Sequence, residues 1–172
     1  MDEPAPTPPP TIPAPLLALI VCALAFIWWT GRQLPELVAS HFNGAGEANG
    51  HMPRGPYLTI MLVITAVVPL LTVVLPNLAL RSTEARINIP NRGYWLSPER
   101  RADTVRFLSQ QMAVFAALLI VFLCYVQWLV VRANAIEPPA LNSQAFLTGL
   151  TVFLVCTFSW VLRVVRRFTQ RP

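Results

Sequence analysis

Four long apolar runs, separated by polar connectors, dominate the chain. They are residues 15–30 (PLLALIVCALAFIWWT), 57–80 (YLTIMLVITAVVPLLTVVLPNLAL), 107–131 (FLSQQMAVFAALLIVFLCYVQWLVV) and 146–165 (FLTGLTVFLVCTFSWVLRVV). A bilayer core about 30 Å thick is crossed by about 20 helical residues rising about 1.5 Å each. The first run meets that length only by taking in Ile12. Apolar side chains surround each run instead of forming one stripe, as expected of helices immersed in lipid or in a bundle. The pattern predicts an all-α fold: an integral membrane bundle of four transmembrane helices, with a four-helix membrane domain over residues 15–172.

Composition agrees. Of the 172 residues, 55% are hydrophobic and 12% charged, where a soluble domain carries about 25% charge. All 13 basic residues are Arg and the net charge is +5. They cluster at the ends of apolar runs, not along one polar face, so no nucleic-acid partner is implied. Cys22, Cys124 and Cys156 all lie within apolar runs, where neither a disulfide framework nor metal-ligand spacing is present and packing is the expected role. Residues 1–14 are Pro-rich and acidic, which predicts a disordered tail. They do not supply the positive charge of a signal peptide, so the first span is read as a retained anchor.

Arginine counts predict orientation. Segments 81–106 and 166–172, with Arg163 at the end of the fourth run, hold ten arginines; segments 31–56 and 132–145 hold three. The ten are expected in the cytoplasm, giving an N-in/C-in protein of the bacterial cytoplasmic (inner) membrane. Trp28, Trp29, Trp128 and Tyr57 would then mark the outer interface. The link between helices 1 and 2 becomes a compact extracytoplasmic loop.

That loop, LPELVASHFNGAGEANGHMPR, carries both histidines. Pro35 suits the first position of a helix, and Leu34, Leu37, Val38 and Phe42 recur at helical spacing, so a short surface helix is expected. Asn43-Gly44 and Asn49-Gly50 read as turns around Glu47. His41, Glu47 and His51 are legitimate zinc ligands, but their spacing fits no recognised signature. No metal or other cofactor is assigned, and His41, Glu47 and His51 stand only as weak metal candidates.

Leu34-Pro35, His41-Phe42-Asn43, Gly46-Glu47, Asn49-Gly50 and Arg54 form a spaced pattern. It resembles the small bacterial membrane domain of unknown function found in SdpI-like immunity proteins. There the motif runs roughly Leu-Pro, a second Pro, His-Phe or His-Trp, Asn, Gly, Asp-Gly and a basic residue, between the first two membrane helices. Ala39 stands here in place of the second Pro, and Asn49 in place of Asp. IPNRGYWLSPERR, residues 89–101, is similar to the segment after the second helix in longer members, so the resemblance covers about residues 15–106. It implies two partner-binding regions. The extracytoplasmic one holds Pro35, His41, Asn43, Gly46, Glu47, Asn49 and Gly50; the cytoplasmic one holds Asn91, Arg92, Tyr94, Trp95, Glu99 and Arg100. The family's best-known activity is immunity to a secreted peptide toxin, with capture of a repressor at the membrane.

Within the cytoplasmic loop, Ser97 reads as an N-cap, with Pro98 first in the helix and Glu99 near its positive end. Arginines there either dock a partner or meet anionic lipid. In the second span, Thr65 precedes Pro69 and Thr72 precedes Pro76, each by four residues. Each proline leaves the carbonyl four residues earlier without its helical donor, which gives either a bent packing helix or a polar groove. No Asp, Glu, His or Lys falls within a run, which argues against an autonomous ion-coupled transporter.

Three functions remain open. The first is a non-catalytic binding, immunity or signalling module; the second is an accessory subunit of a larger membrane complex. The third is a membrane enzyme, for which no Ser-His-acid order, HExxH or P-loop is present. Besides the lipid bilayer, the partner is expected to be a peptide or another membrane protein.

Overall fold

Leu16, Ile20, Ala23, Ile27 and Gly31 are the buried positions of the first helix, spaced at three and four residues along one side. The helix, α1, spans Ala14–Gly31 in a computed structural model that describes residues 12–81 and 88–170. Most of the expected Pro-rich tail, together with Arg86 and Arg171, lies outside the described residues. After α1 come β1 (Leu37–Phe42), β2 (Ala48–Pro53), α2 (Arg54–Arg81), α3 (Arg92–Trp95), α4 (Arg101–Ala133) and α5 (Ser143–Thr169).

The helices α1, α2, α4 and α5 are each long and apolar enough to cross a membrane, as the hydropathy predicts. The 33 residues of α4 extend roughly 50 Å, well beyond a bilayer core of about 30 Å. Its first turns, with Arg101, Asp103 and Arg106, can therefore stand outside the hydrocarbon.

Three apolar clusters tie the bundle together. Leu16, Ile20 and Ala23 of α1 meet Val73 of α2 and Ala116 and Ile120 of α4 at mid-bundle. Ile27, Leu34, Val38, Tyr57, Leu58 and Val130 form the second cluster, beneath the hairpin. Leu80, Leu108 and Phe168 close the opposite end. Gly31 allows α1 and α2 to meet, since a Cβ there would lie 2.0 Å from Leu58 Cδ2. Gly149 does the same for α5 against the Tyr125 ring, at 2.1 Å, while the Tyr125 hydroxyl donates to Ala145 O at 2.6 Å. Asn142 caps α5, its side chain accepting from Ala145 N at 2.9 Å.

Polar side chains bridge helices inside the bundle. Tyr57 Oη donates to Gln127 Oε1 at 2.8 Å, and Gln127 Nε2 donates to Thr30 Oγ1 at 3.3 Å, joining α2, α4 and α1. Nearer the other end, Ser109 of α4 donates to Asn77 Oδ1 of α2. Both prolines of the second span lie inside α2. Thr72 Oγ1 donates to Pro69 O at 2.7 Å and Asn77 Nδ2 to Val73 O at 2.7 Å, whereas Thr65 Oγ1 is buried with no hydrogen-bond partner.

Two corrections concern local structure. The chain is not all-α, because residues 37–42 form a strand and not a surface helix, paired antiparallel with β2. Leu34, Leu37, Val38 and Phe42 fit either period over so short a stretch. Val38 and Ala39 are buried in succession, and the ladder is irregular between Ala39 and His41 and between His41 and Phe42, so the alternation that marks a strand is lost. An isolated helical turn is also costly to nucleate, whereas pairing with β2 satisfies the backbone at once. The second correction concerns Ser97, which does not cap α4. That helix begins at Arg101 with Arg100 as its N-cap. Ser97 O instead accepts from Arg100 N at 3.0 Å and Arg101 N at 2.9 Å, closing a turn.

Candidate functional site

Asn43 organises the hairpin turn. Its Oδ1 accepts from Ala45 N at 3.0 Å and Glu47 N at 2.9 Å, and its Nδ2 donates to Glu47 Oε2 at 2.8 Å. The backbone closes the same loop, Asn43 N donating to Glu47 O and Gly46 N to Asn43 O, both at 2.9 Å. Such side-chain capture of nearby amides is what favours Asn in turns. Gly46 takes a positive φ of 89°, a conformation open to glycine at low cost. A Cβ there would also lie 2.2 Å from Leu141 O, where Leu141 N donates to Gly46 O at 2.8 Å. The hairpin tip is thereby fastened to the α4–α5 connector.

Its base is fastened too. Arg54 Nη1 donates to Leu34 O at 2.9 Å, and Arg54 N to Glu36 O at 2.9 Å. Along β1, Asn134 at the end of α4 takes the place of a neighbouring strand. Its Oδ1 accepts from Ala39 N at 2.8 Å and its Nδ2 donates to Ala39 O at 3.0 Å.

The motif therefore divides by role. Asn43, Gly46 and Glu47 build the turn. Gly50, read as half of a turn dipeptide, lies instead within β2 opposite His41; a Cβ there would approach His41 Cβ to 3.0 Å. Pro35 is exposed in the approach to β1. Asn49 and His51 alternate with half-buried neighbours on the exposed face of β2. Opposed residues of an antiparallel pair share a face, and successive residues do not. His41 therefore lies with Gly50 on one face and His51 on the other, with His41 Nδ1 3.1 Å from Ser40 Oγ. His41, Glu47 and His51 do not gather as a metal site, and no group of three His, Cys, Asp or Glu side chains does so among the described residues.

A cleft of about 360 Å³ opens where the hairpin meets α4 and α5. Phe42, Val126, Leu129, Val130, Phe146 and Leu147 give it apolar walls, and Ser40, Asn43 and Ser143 line it with polar atoms.

Residues 17–67 match the family model described as Domain of unknown function (DUF1648). The match spans α1, the hairpin and the first half of α2. No curated protein and no solved structure matches the chain. Asn134, Gln127, Leu141 and Ser143, which complete the setting of this segment, fall outside the matched residues.

The second group of sequence-selected residues gathers at the opposite end. Asn91, with a positive φ of 52°, donates through Nδ2 to Phe168 O at 2.9 Å, and Trp95 Nε1 donates to the same carbonyl at 3.3 Å. Phe168 is buried, with Trp95 and Phe107 packed edge-on against its ring. Tyr94 packs edge-on against Trp95, and the Arg100 guanidinium stacks 3.9 Å from the Tyr94 ring centre. Thr104 Oγ1 donates to Trp95 O at 2.8 Å. Glu99 is exposed, and hydrogen bonds from its own backbone amide and the Ser97 hydroxyl hold its carboxyl below the usual range. Arg92 is exposed on α3. Asn91, Tyr94 and Trp95 thus lock α3 onto the end of α5.

Sequence reasoning missed Asn134 and Phe168. Neither carries a local signal, since each acts through a backbone group distant in sequence. Gln127 was more accessible, being an amide inside an otherwise apolar run.

Proposed function

We propose that the chain is a non-catalytic multi-pass membrane protein of the bacterial cytoplasmic membrane that recognises an extracytoplasmic peptide through its hairpin cap, in the manner of SdpI-like immunity proteins. The orientation is N-in/C-in, supported by the arginine distribution. One observation carries the reading: the hairpin is fixed at its tip, base and edge, while Asn49 and His51 are left exposed. A preorganised hairpin with an exposed polar face on β2 and an apolar cleft along β1 suits a peptide with polar and apolar residues, because little order remains to be imposed on binding. Pro35, His41 and Glu47 are exposed elsewhere on the cap, His41 on the opposite face with Gly50.

The test is protection. Cells expressing the chain are challenged with a panel of envelope-active peptides, beside cells expressing Asn49→Ala/His51→Ala at equal level. Selective survival of the wild-type cells against one peptide is expected; identical killing of expressing and non-expressing cells across the panel rejects the reading.

A second reading, an accessory subunit of a larger membrane complex, is favoured by α5. Phe168 is its one buried residue among those described, while Leu147, Val152, Leu154, Val155 and Phe158 are exposed. Stoichiometric recovery with another membrane protein in mild detergent supports it, and recovery alone opposes it.

A further inference from the structure

Ser159, Leu162, Arg163, Arg166, Arg167 and Gln170 recur along α5 at steps of three and four, which sets them in one stripe. Together with Phe107 of α4 they line a cavity of about 570 Å³ at the end of the bundle away from the hairpin, within the size range of small-ligand sites. The Arg167 guanidinium is held 4.2 Å from the Phe107 ring centre and 5.6 Å from that of Trp95. No described carboxylate pairs with Arg163, Arg166 or Arg167.

We propose that this cavity binds a phosphate group. Three full positive charges face it, against roughly half a negative charge from the carbonyl end of α5, so the local field favours an anion. Guanidinium forks match phosphate oxygens two at a time, and stacking on Phe107 fixes one fork in advance. Ser159 and Gln170 add polar atoms at either end of the stripe. A lipid headgroup or a free phosphate could supply the group. The exposed Phe158, Val161 and Val165 on the same helix give acyl chains a surface beside the site, which favours the lipid. The site is independent of the hairpin and of the peptide reading.

Affinity-captured full-length protein in non-ionic detergent is titrated with radiolabelled phosphatidylglycerol, phosphatidylcholine of the same acyl chains, and inorganic phosphate. Saturable phosphatidylglycerol binding is expected, weaker for phosphatidylcholine. Arg163→Gln/Arg166→Gln should weaken it by about 25-fold, at about fivefold per arginine, while Arg132→Gln at the hairpin end leaves it unchanged. Inorganic phosphate that binds and displaces the lipid at millimolar concentration assigns the site to a free phosphate; failure to displace assigns it to the headgroup. Equal binding by wild type and the double variant overturns the proposal. So does wild-type lipid binding that is indifferent to added salt, a measurement that needs no variant.

Discussion

The side-chain amide of Asn134 pairs with both backbone groups of Ala39, accepting from its N–H at 2.8 Å and donating to its carbonyl at 3.0 Å. Ala39 is fully buried, so these groups have no recourse to water. The same Asn134 Nδ2 also donates to Val130 O at 2.9 Å, which anchors the amide to the end of α4. A single side chain thus supplies the edge that a third strand would otherwise provide.

Replacing Asn134 by Leu should free the hairpin from α4. A buried polar group left unpaired costs about 1–3 kcal/mol, and Ala39 has two, so a loss of about 2–6 kcal/mol is expected. The check is thermal unfolding in detergent together with hydrogen exchange, in which the Ala39 amide should lose protection before the helix amides do. Unchanged protection at Ala39 would show that the hairpin is held from elsewhere.

Gly46 should tolerate no substitution. Its φ of 89° is one that other residues adopt at about 1–3 kcal/mol, and the added Cβ would press on Leu141 O. For Gly46→Ala the connector bond from Leu141 N should open, and limited proteolysis should cut near Gly44 in the variant but not in the wild type. Gly44, where an added Cβ would meet nothing within 4 Å, serves as the control: Gly44→Ala should resist protease as the wild type does.

How far the sequence reached depends on the kind of interaction. Hydropathy located the four long helices because lipid immersion demands long apolar runs, a requirement each run meets without reference to its neighbours. The hairpin was hidden by its own irregularity, since Val38 and Ala39 are buried side by side and Asn49-Gly50 is a strand pair and not a turn. Asn43 and Gly46 stand out in the motif, yet their work is to build the loop. The contact from Asn91 to Phe168 O spans 77 residues and uses a backbone acceptor, so no side-chain pattern announces it.

Gln127 and Tyr57 should behave as a pair. Tyr57→Phe removes the donor to a fully buried amide oxygen, leaving it unsatisfied at about 1–3 kcal/mol. Gln127→Leu removes the amide altogether but leaves the Tyr57 hydroxyl unpaired. The double variant Tyr57→Phe/Gln127→Leu should therefore be more stable than the sum of the single losses predicts, by roughly 0.6 kcal/mol or more. A double-mutant cycle on unfolding in detergent measures this coupling, and strict additivity would show that the two groups do not act on each other.

The direction in which the bundle crosses the bilayer decides which end faces the cytoplasm and whether the hairpin is open to the proposed peptide. Among the described residues, Arg92, Arg100, Arg101, Arg106, Arg163, Arg166 and Arg167 lie toward the end closed by Phe168, against Arg32, Arg54 and Arg132 at the hairpin end, and retention of positive charge on the cytoplasmic side favours the hairpin outside. Cys22, Cys124 and Cys156 are free and would confuse labelling, so the experiment starts from a chain with all three replaced by Ala. His51→Cys in that background places a thiol on the exposed face of β2, and Arg92→Cys places one on exposed α3. In intact cells a membrane-impermeant thiol reagent should label the first and spare the second until the cells are opened. The reverse pattern would put the Arg-rich end outside, remove the hairpin from any secreted ligand, and leave the arginine distribution without its usual cause.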